Sequence, residues 1–231
     1  MKTKTLLILS FILVFLNVLS IIFLPVLSNR IIRLLTVIAF LVFMLRSDLK
    51  RGKIILISFV FFFTSEFLVL NYEDLTFSML SSVFKITAYL ILLKYVITKF
   101  DYKRTNVYLL AFFAVLALLN LYALQGITNF ISIIDNNLIL KYIIYFHGIV
   151  LVLLCYFSGS LNFIHPSKLS VYLTLFVFGF AFSDLCAVLA FHFDVDSLAV
   201  IHRILLVFSS YFAIKYMISD NQKVNIDYLE D

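Results

Sequence analysis

The chain has few of the residues that form loops and soluble surfaces. Only five glycines and two prolines occur among its 231 residues, and charged residues make up 13% of it. Soluble domains carry roughly 25% charged residues. Together with 64% hydrophobic residues and a mean hydropathy of +1.10, these figures predict an integral membrane protein without a separate soluble domain.

Several common kinds of site are excluded by what is missing. The two cysteines, Cys155 and Cys186, lie in apolar runs, and two thiols cannot build a disulfide framework. The sequence has no phosphate loop, nucleophile elbow, Cys metal cluster or dinucleotide fingerprint, so we expect no cofactor and no metal. The net charge of +5 comes from short basic clusters between apolar runs, which indicates membrane orientation rather than nucleic-acid binding.

Long apolar runs are abundant. A helix that crosses a membrane needs about 17–25 mostly apolar residues, and the chain offers eight such runs. The first is too long for a signal peptide's apolar part, so we interpret it as a retained span. The predicted fold class is all-α, a polytopic helical bundle in one transmembrane domain over residues 1–218. The spans are placed at 5–27, 31–46, 54–71, 76–98, 106–125, 138–157, 170–191 and 198–218.

The basic residues orient these helices. Clusters of Lys and Arg mark cytoplasmic loops, and one set of span ends holds nearly all of them. Both termini are therefore predicted to be cytoplasmic, with residues 219–231 as a short tail, in what we expect to be a bacterial cytoplasmic membrane. Arg30 and Arg33 form the one discordant pair. The concordant residues are Lys2, Lys4, Arg46, Lys50, Arg51, Lys53, Lys99, Lys103, Arg104, Lys168, Lys215 and Lys223.

Five ionisable residues lie inside the predicted spans, where charges are costly and usually face the interior of a bundle. They are Glu66, Lys85, His147, Asp184 and Arg203, each on a different span. At a rise of about 1.5 Å per residue, all five fall roughly 6–14 Å from the non-cytoplasmic ends of their spans. They therefore form one layer in the outer half of the membrane, which predicts a shared polar pocket.

The spacing of the charges is regular. Lys85 follows Glu66, and Arg203 follows Asp184, by the same 19 residues, and Ser precedes each acid. Two parallel four-span halves would produce this pattern, so the bundle has a possible 4+4 repeat. Two interpretations of the pairs remain open: structural contacts between neighbouring helices, or a functional pocket. Interhelical polar contacts add only about 0.6 kcal/mol on average, which favours the pocket.

Two tyrosines extend the list of candidates. Tyr89 and Tyr211 lie deep in the fourth and eighth spans, where a hydroxyl needs a polar partner, and Tyr89 shares a helix face with Lys85. With Lys85, His147 and Arg203 they are the candidate substrate-binding residues. The stretch "HFDVD" offers three possible metal ligands in a turn, but a solvated acidic turn is the favoured interpretation.

The candidate residues lie in four stretches: "FFFTSEFLVL", "FSMLSSVFKITAYLILLKYV", "FVFGFAFSDLCAVLAFHF" and "ILLVFSSYFAIKYMI". Together they resemble the YhhN family of lysoplasmalogenase-like membrane proteins. That family carries Gly-Asp in the third span, His and Tyr in the fourth, Ser-Asp or Ser-Asn in the seventh and a tyrosine in the last. Here Ser183–Asp184 matches the seventh-span motif, Ser65–Glu66 stands where the family has Gly-Asp, and Tyr89 lies in the fourth span.

The resemblance implies hydrolysis of the vinyl-ether bond of lysoplasmalogens, so a membrane lipid or lysophospholipid is the expected partner. Glu66 and Asp184 would be the catalytic residues. One would protonate the enol-ether carbon, and the other would orient and deprotonate the attacking water. Lys85 or Arg203 would lie close to the phosphate head group.

Three alternatives use the same residues differently. A transporter or lipid-binding protein would hold its ligand in the same pocket without turnover. The membrane module of a receptor would need a separate partner chain. An intramembrane metal hydrolase would use His147, Asp184 and His202, but the helix-spaced histidine pairs of such enzymes are missing.

Overall fold

The computed structural model describes residues 2–46, 52–100, 106–135 and 137–227, and the chain is helical almost throughout these ranges. Eight α-helices form within them. Each is long and apolar enough to cross a membrane, the third together with the 3₁₀ turn Val69–Asn71 that follows it, which confirms the expected helical membrane bundle. Lys50, Arg51, Lys103 and Arg104, which contribute to the predicted orientation, lie outside the described residues. The helices are α1 (Lys2–Phe23), α2 (Val26–Arg46), α3 (Lys53–Leu68), α4 (Leu75–Thr98), α5 (Val107–Asp135), α6 (Leu138–Ile164), α7 (Lys168–Phe193) and α8 (Asp196–Asp227).

A proline separates the first two helices. Pro25 has no N–H to continue α1, and it disfavours helical geometry in the residue before it. Its carbonyl accepts the N–H of Asn29 at 3.0 Å, and α2 begins at Val26. That start is earlier than the expected residue 31, so Arg30 lies inside α2 rather than in a loop.

Polar side chains mark the starts of three helices. Asp74 caps α4 and Asn137 caps α6 by accepting backbone N–H groups, and Ser167 and Ser170 form a reciprocal capping box at the start of α7. α7 ends at Phe193, and the left-handed backbone of the next residue, Asp194 (φ 52°), turns the chain into α8. Three helices extend well past their expected ends, because α5 continues to Asp135, α6 to Ile164 and α8 through residues 219–227.

The most extensive helix contacts are those of α7 with α8 and of α3 with α4. A Cβ on Gly179 of α7 would lie 2.1 Å from Oγ of Ser209 on α8, so these helices approach at a distance that glycine permits. α4 also packs against α6, and α1 packs against α8 and α2. Asn17 of α1 donates to Thr36 of α2 at 2.7 Å.

Four phenylalanines and a tyrosine fill the centre of the bundle. Phe62 and Phe180 stack with their ring centroids 4.8 Å apart, Phe59 and Phe176 pack against them, and Tyr89 meets Phe62 edge to face at 5.0 Å. We call Phe59, Phe62, Phe176 and Phe180 the aromatic floor. Phe62 lies one turn before Glu66, and Phe180 one turn before Asp184, so the floor closes one side of the polar layer.

Candidate functional site

Two carboxylates from different helices meet at one ammonium group. Nζ of Lys85 on α4 lies 2.8 Å from Oδ1 of Asp184 on α7 and 3.7 Å from Oε1 of Glu66 on α3. Glu66 is 3% exposed and Asp184 is 5% exposed. The predicted Glu66–Lys85 pair therefore forms, and Asp184 joins it from the other half of the chain.

Asp184 has further partners on its second oxygen. The hydroxyl of Tyr89 donates to Oδ2 at 2.6 Å, and Nε2 of His147 on α6 lies 3.3 Å from the same atom. Tyr89 and Lys85 reach one carboxylate because they are four residues apart on one face of α4. The rings of Tyr89 and His147 also stack, with centroids 5.4 Å apart. Three of the predicted substrate-binding residues thus surround Asp184.

Arg33 completes the cluster, although sequence reasoning did not include it among the site residues. Its Nε forms an ion pair with Oε2 of Glu66, and its side chain is 11% exposed. The signal that could have identified it was its discordance with the positive-inside rule. A basic residue bound to an intramembrane acid does not act as a free loop charge. We call Arg33, Glu66, Lys85, His147 and Asp184 the charge cluster.

The other discordant arginine is also bound to an acid. Arg30 makes a two-pronged contact with Glu73 in the turn before α4, at 2.7 and 2.8 Å. The hydrogen bond from Arg30 holds the pKa of the Glu73 carboxyl below its usual value. Both arginines that contradicted the orientation rule are therefore paired.

Arg203 does not pair with Asp184, contrary to the expected interaction. Its Nη2 donates to Oδ1 of Asn29 on α2 at 2.7 Å. The neighbouring His202 faces Ser183, whose Oγ lies 2.9 Å from its Nδ1, while its Nε2 is 3.5 Å from Nη1 of Arg33. Spacing along the chain set the depth of Arg203 but not its direction around the axis of α8, and it points toward α2.

Tyr211 lies apart from the cluster. It is half-buried, packs against Phe212 with centroids 5.2 Å apart, and lies under the ammonium group of Lys215 at 5.7 Å. It is two turns beyond Arg203 on α8, which is about 12 Å along the axis. The structure therefore does not bring Tyr211 together with the other candidate substrate-binding residues.

Two spaces adjoin the carboxylates. A gap of about 10 Å³ borders both Glu66 and Asp184, with Lys85 between them and the aromatic floor beneath. This is about the volume that one water molecule needs. A larger cavity of about 150 Å³ borders Lys85 and Asp184 but not Glu66. Its wall is rich in basic side chains, namely Arg30, Arg33, Lys85, His147 and His192.

The described residues contain no group of three or more His, Cys, Asp and Glu side chains that could hold a metal ion. In the "HFDVD" stretch, Asp194 forms the left-handed end of α7 and Asp196 begins α8. A third space of about 280 Å³ lies between α5, α6 and α7 and is lined almost wholly by apolar residues.

Comparisons of this chain with protein-family models, with curated proteins and with solved structures find no match. Its function must therefore be inferred from the geometry of the charge cluster and from the sequence motifs that supply it.

Proposed function

We propose that this chain is a membrane hydrolase of the YhhN type, which cleaves the vinyl-ether bond of a lysoplasmalogen-like lysophospholipid. The observation that carries the proposal is the meeting of Glu66 and Asp184 at Lys85, 3.7 and 2.8 Å from its Nζ. The two carboxylates also share a water-sized gap, and Asp184 borders the larger cavity as well. One acid can thus face the substrate while both face the water.

The reaction adds water across the enol ether in steps that two carboxyl groups can serve. The reactive state differs from the resting, ionised site by one proton on Asp184. Asp184 gives that proton to the enol-ether carbon, and the ether oxygen stabilises the resulting oxocarbenium ion. Water in the gap attacks the positive carbon, and its proton passes to Glu66. The hemiacetal collapses to an aldehyde and the glycerol hydroxyl, and the proton returns from Glu66 to Asp184 across the gap.

Lys85 suits this exchange because it contacts both acids. In the state before reaction its counter-ion is Glu66, and in the state after water attack its counter-ion is Asp184. The ammonium therefore keeps a counter-ion in both states, so the proton transfer does not leave Lys85 unpaired in the low-dielectric interior. His147 and Tyr89 hold Asp184 in position through its other oxygen.

The lining of the cavity beside Asp184 is suited to binding an anionic head group. Arg30, Arg33 and Lys85 line it, and Ser81 and Ser82 add hydroxyl groups. Guanidinium and ammonium groups are the usual protein partners of phosphate. Apolar side chains from α6 and α7 border the same space, including Ile144 and Val188. An amphiphile with a phosphate and an alkenyl chain matches such a lining.

The test is aldehyde release from purified protein in detergent. Wild-type protein should release aldehyde from a lysoplasmalogen but not from a lysophospholipid with an ester-linked chain. Asp184→Asn should reduce the rate at least about 100-fold, as expected for loss of a general acid. Asp194→Asn is the matched control, since that acid is exposed at the end of the same helix. Inert wild-type protein, or unchanged activity of Asp184→Asn, would overturn the proposal.

A second candidate is a lipid-binding protein or transporter that uses the same cavity without chemistry. It is favoured by the contacts on Asp184, because both of its oxygens already face donors or cations, as in a resting ionised group. In this case a lysophospholipid should raise the thermal stability of the protein without turnover, and Arg30→Ala, which changes the lining of that cavity, should weaken the effect. Turnover sensitive to Asp184→Asn would exclude a purely binding role.

We also propose that both termini are cytoplasmic and that the halves α1–α4 and α5–α8 are related by a parallel repeat. The orientation is supported by the Lys and Arg distribution. The repeat is supported by the equal 19-residue spacing from Glu66 to Lys85 and from Asp184 to Arg203, with Ser before each acid. Reporter fusions at the C-terminus and in the 69–75 turn should report opposite sides of the membrane. Reporters on the same side would contradict the proposed orientation.

A further inference from the structure

The buried layer holds more positive than negative charge. Its Lys and Arg residues are Arg33, Lys85 and Arg203, three cations, and Glu66 and Asp184 are the only buried carboxylates among the described residues. Counted over the Lys, Arg, Asp and Glu side chains of this layer, the surplus is one positive charge. An unpaired ion in a low-dielectric interior is strongly unfavourable.

The contacts identify which cation is the surplus one. Arg33 pairs with Glu66, and Lys85 contacts both acids, so two cations already balance two carboxylates. Arg203 is 5% exposed, and its hydrogen-bond partner is a neutral amide oxygen, Oδ1 of Asn29. The surplus charge is therefore the guanidinium of Arg203.

Arg33 and Arg203 lie on facing helices, and within the described ranges each has guanidinium N–H groups without a hydrogen-bond partner. Asn29 and Arg33 are four residues apart and share a face of α2, and that face contacts His202 and Arg203 of α8. Nη2 of Arg33 and Nη1 of Arg203 are buried and have no hydrogen-bond partner among the described residues. Buried donors are nearly always satisfied, so two orphaned guanidinium nitrogens indicate a ligand that accepts hydrogen bonds.

We propose that Arg203, together with Arg33, binds a singly charged anion between α2 and α8, independently of any hydrolytic activity. The anion compensates the surplus charge and accepts the unused guanidinium N–H groups. Its chemistry is that of a free anion, chloride or inorganic phosphate, or of the phosphodiester of a membrane lipid. Arg203 lies outside the linings of the two spaces next to Asp184, whereas Arg33 also borders the larger of them, so this site adjoins the proposed reaction site and differs from it by Arg203.

The test is the thermal stability of the full chain in detergent at constant ionic strength. Gluconate is replaced stepwise by chloride in one series and by inorganic phosphate in a second. In a third series, phosphatidylglycerol is added to micelles in gluconate, with diacylglycerol as the phosphate-free control. Wild-type protein should show a saturable rise in Tm, about 3–6 °C at ten times the Kd. The series that gives this rise identifies the source of the anion.

Arg203→Gln separates anion binding from a structural role. Without the surplus charge, this variant should lose the anion-dependent rise, and in gluconate its Tm should equal or exceed that of wild type. A purely structural Arg203 would instead give the same deficit at every anion concentration, which would overturn the proposal. Arg46→Gln, at the exposed end of α2, should keep the wild-type response.

The anion titration of the wild-type protein tests the anion site even when Arg203→Gln fails to fold. A Tm that is flat in all three series would refute the anion site. A response in the absence of aldehyde release would leave the anion site intact and remove only the hydrolase proposal.

Discussion

Lys85→Met is the most informative single change, because Lys85 joins the two buried carboxylates. Its Nζ lies 2.8 Å from Asp184 and 3.7 Å from Glu66. Methionine keeps an unbranched apolar side chain of similar length and removes only the charge and its donors. The variant therefore leaves two carboxylates in the bundle with Arg33 as the remaining cation in direct contact with either.

The expected loss follows from these distances. At an effective dielectric constant of about 20, unit charges 2.8 Å apart attract by about 6 kcal/mol and those 3.7 Å apart by about 4.5 kcal/mol. Desolvation offsets much of this, and removing one partner of a buried pair typically costs about 3–5 kcal/mol. Because Asp184 keeps Tyr89 and His147, we expect about 3 kcal/mol, or a fall in Tm of about 6–12 °C.

A thiol-reactive fluorescent dye suits the measurement, since the chain has no tryptophan and both cysteines are half-buried in the bundle. Lys94→Met is the matched control, because Lys94 is exposed on the same helix. The double variant Lys85→Met with Asp184→Asn should regain about half of the loss, since no unpaired charge then remains at Asp184. If Lys85→Met has the same Tm as the Lys94→Met control, the proposal that the Lys85 ammonium stabilises the buried carboxylates is refuted.

Two further predictions concern the helix contact and the outer turn. Gly179→Ala should lower Tm, because its Cβ would displace the Ser209 hydroxyl that donates to the carbonyl of Leu205 at 2.6 Å; adding Ser209→Ala should recover most of the loss, and no recovery would contradict the steric explanation. Glu73→Gln should flatten the acid dependence of stability. Arg30 lowers the pKa of Glu73 in the folded protein. The pair therefore stabilises the fold, by less than about 1 kcal/mol, at a pH above the ordinary Glu pKa of about 4.3, and this stabilisation is lost as the pH falls through the lowered pKa. If Tm falls with decreasing pH at the same rate in wild type and Glu73→Gln, the Arg30–Glu73 pair does not contribute to stability.

The depth of the ionisable residues in the membrane was predictable from the sequence, whereas the direction in which each side chain points around its helix axis was not. Hydropathy located the helices, and the 1.5 Å rise put Glu66, Lys85, His147 and Asp184 at one level, where contacts join them. The partner of Arg203 depends on rotation about the axis of α8, which spacing between helices cannot supply. Apolar residues surround most of these helices, so no polar face marks which side points inward.

Arg33 was missed for a related reason. The positive-inside rule counts charges near helix ends without asking what they contact, so a basic residue inside α2 was treated as an orientation signal. Its ion pair with Glu66 arises because α2 packs against α3. A charge that contradicts an otherwise consistent orientation is therefore a candidate for pairing with an intramembrane acid.

The one-sided position of the charge cluster bears on which function is favoured. A proton-coupled transporter needs ionisable groups that continue through the membrane. Here Glu66 and Asp184 are the only buried carboxylates in the described part of the chain. One turn away from them, Phe62 and Phe180 stack face to face at 4.8 Å. A proton would have to cross this aromatic floor without a carboxylate relay beyond it. The cluster thus favours chemistry or binding reached from one side of the membrane over proton-coupled passage through it.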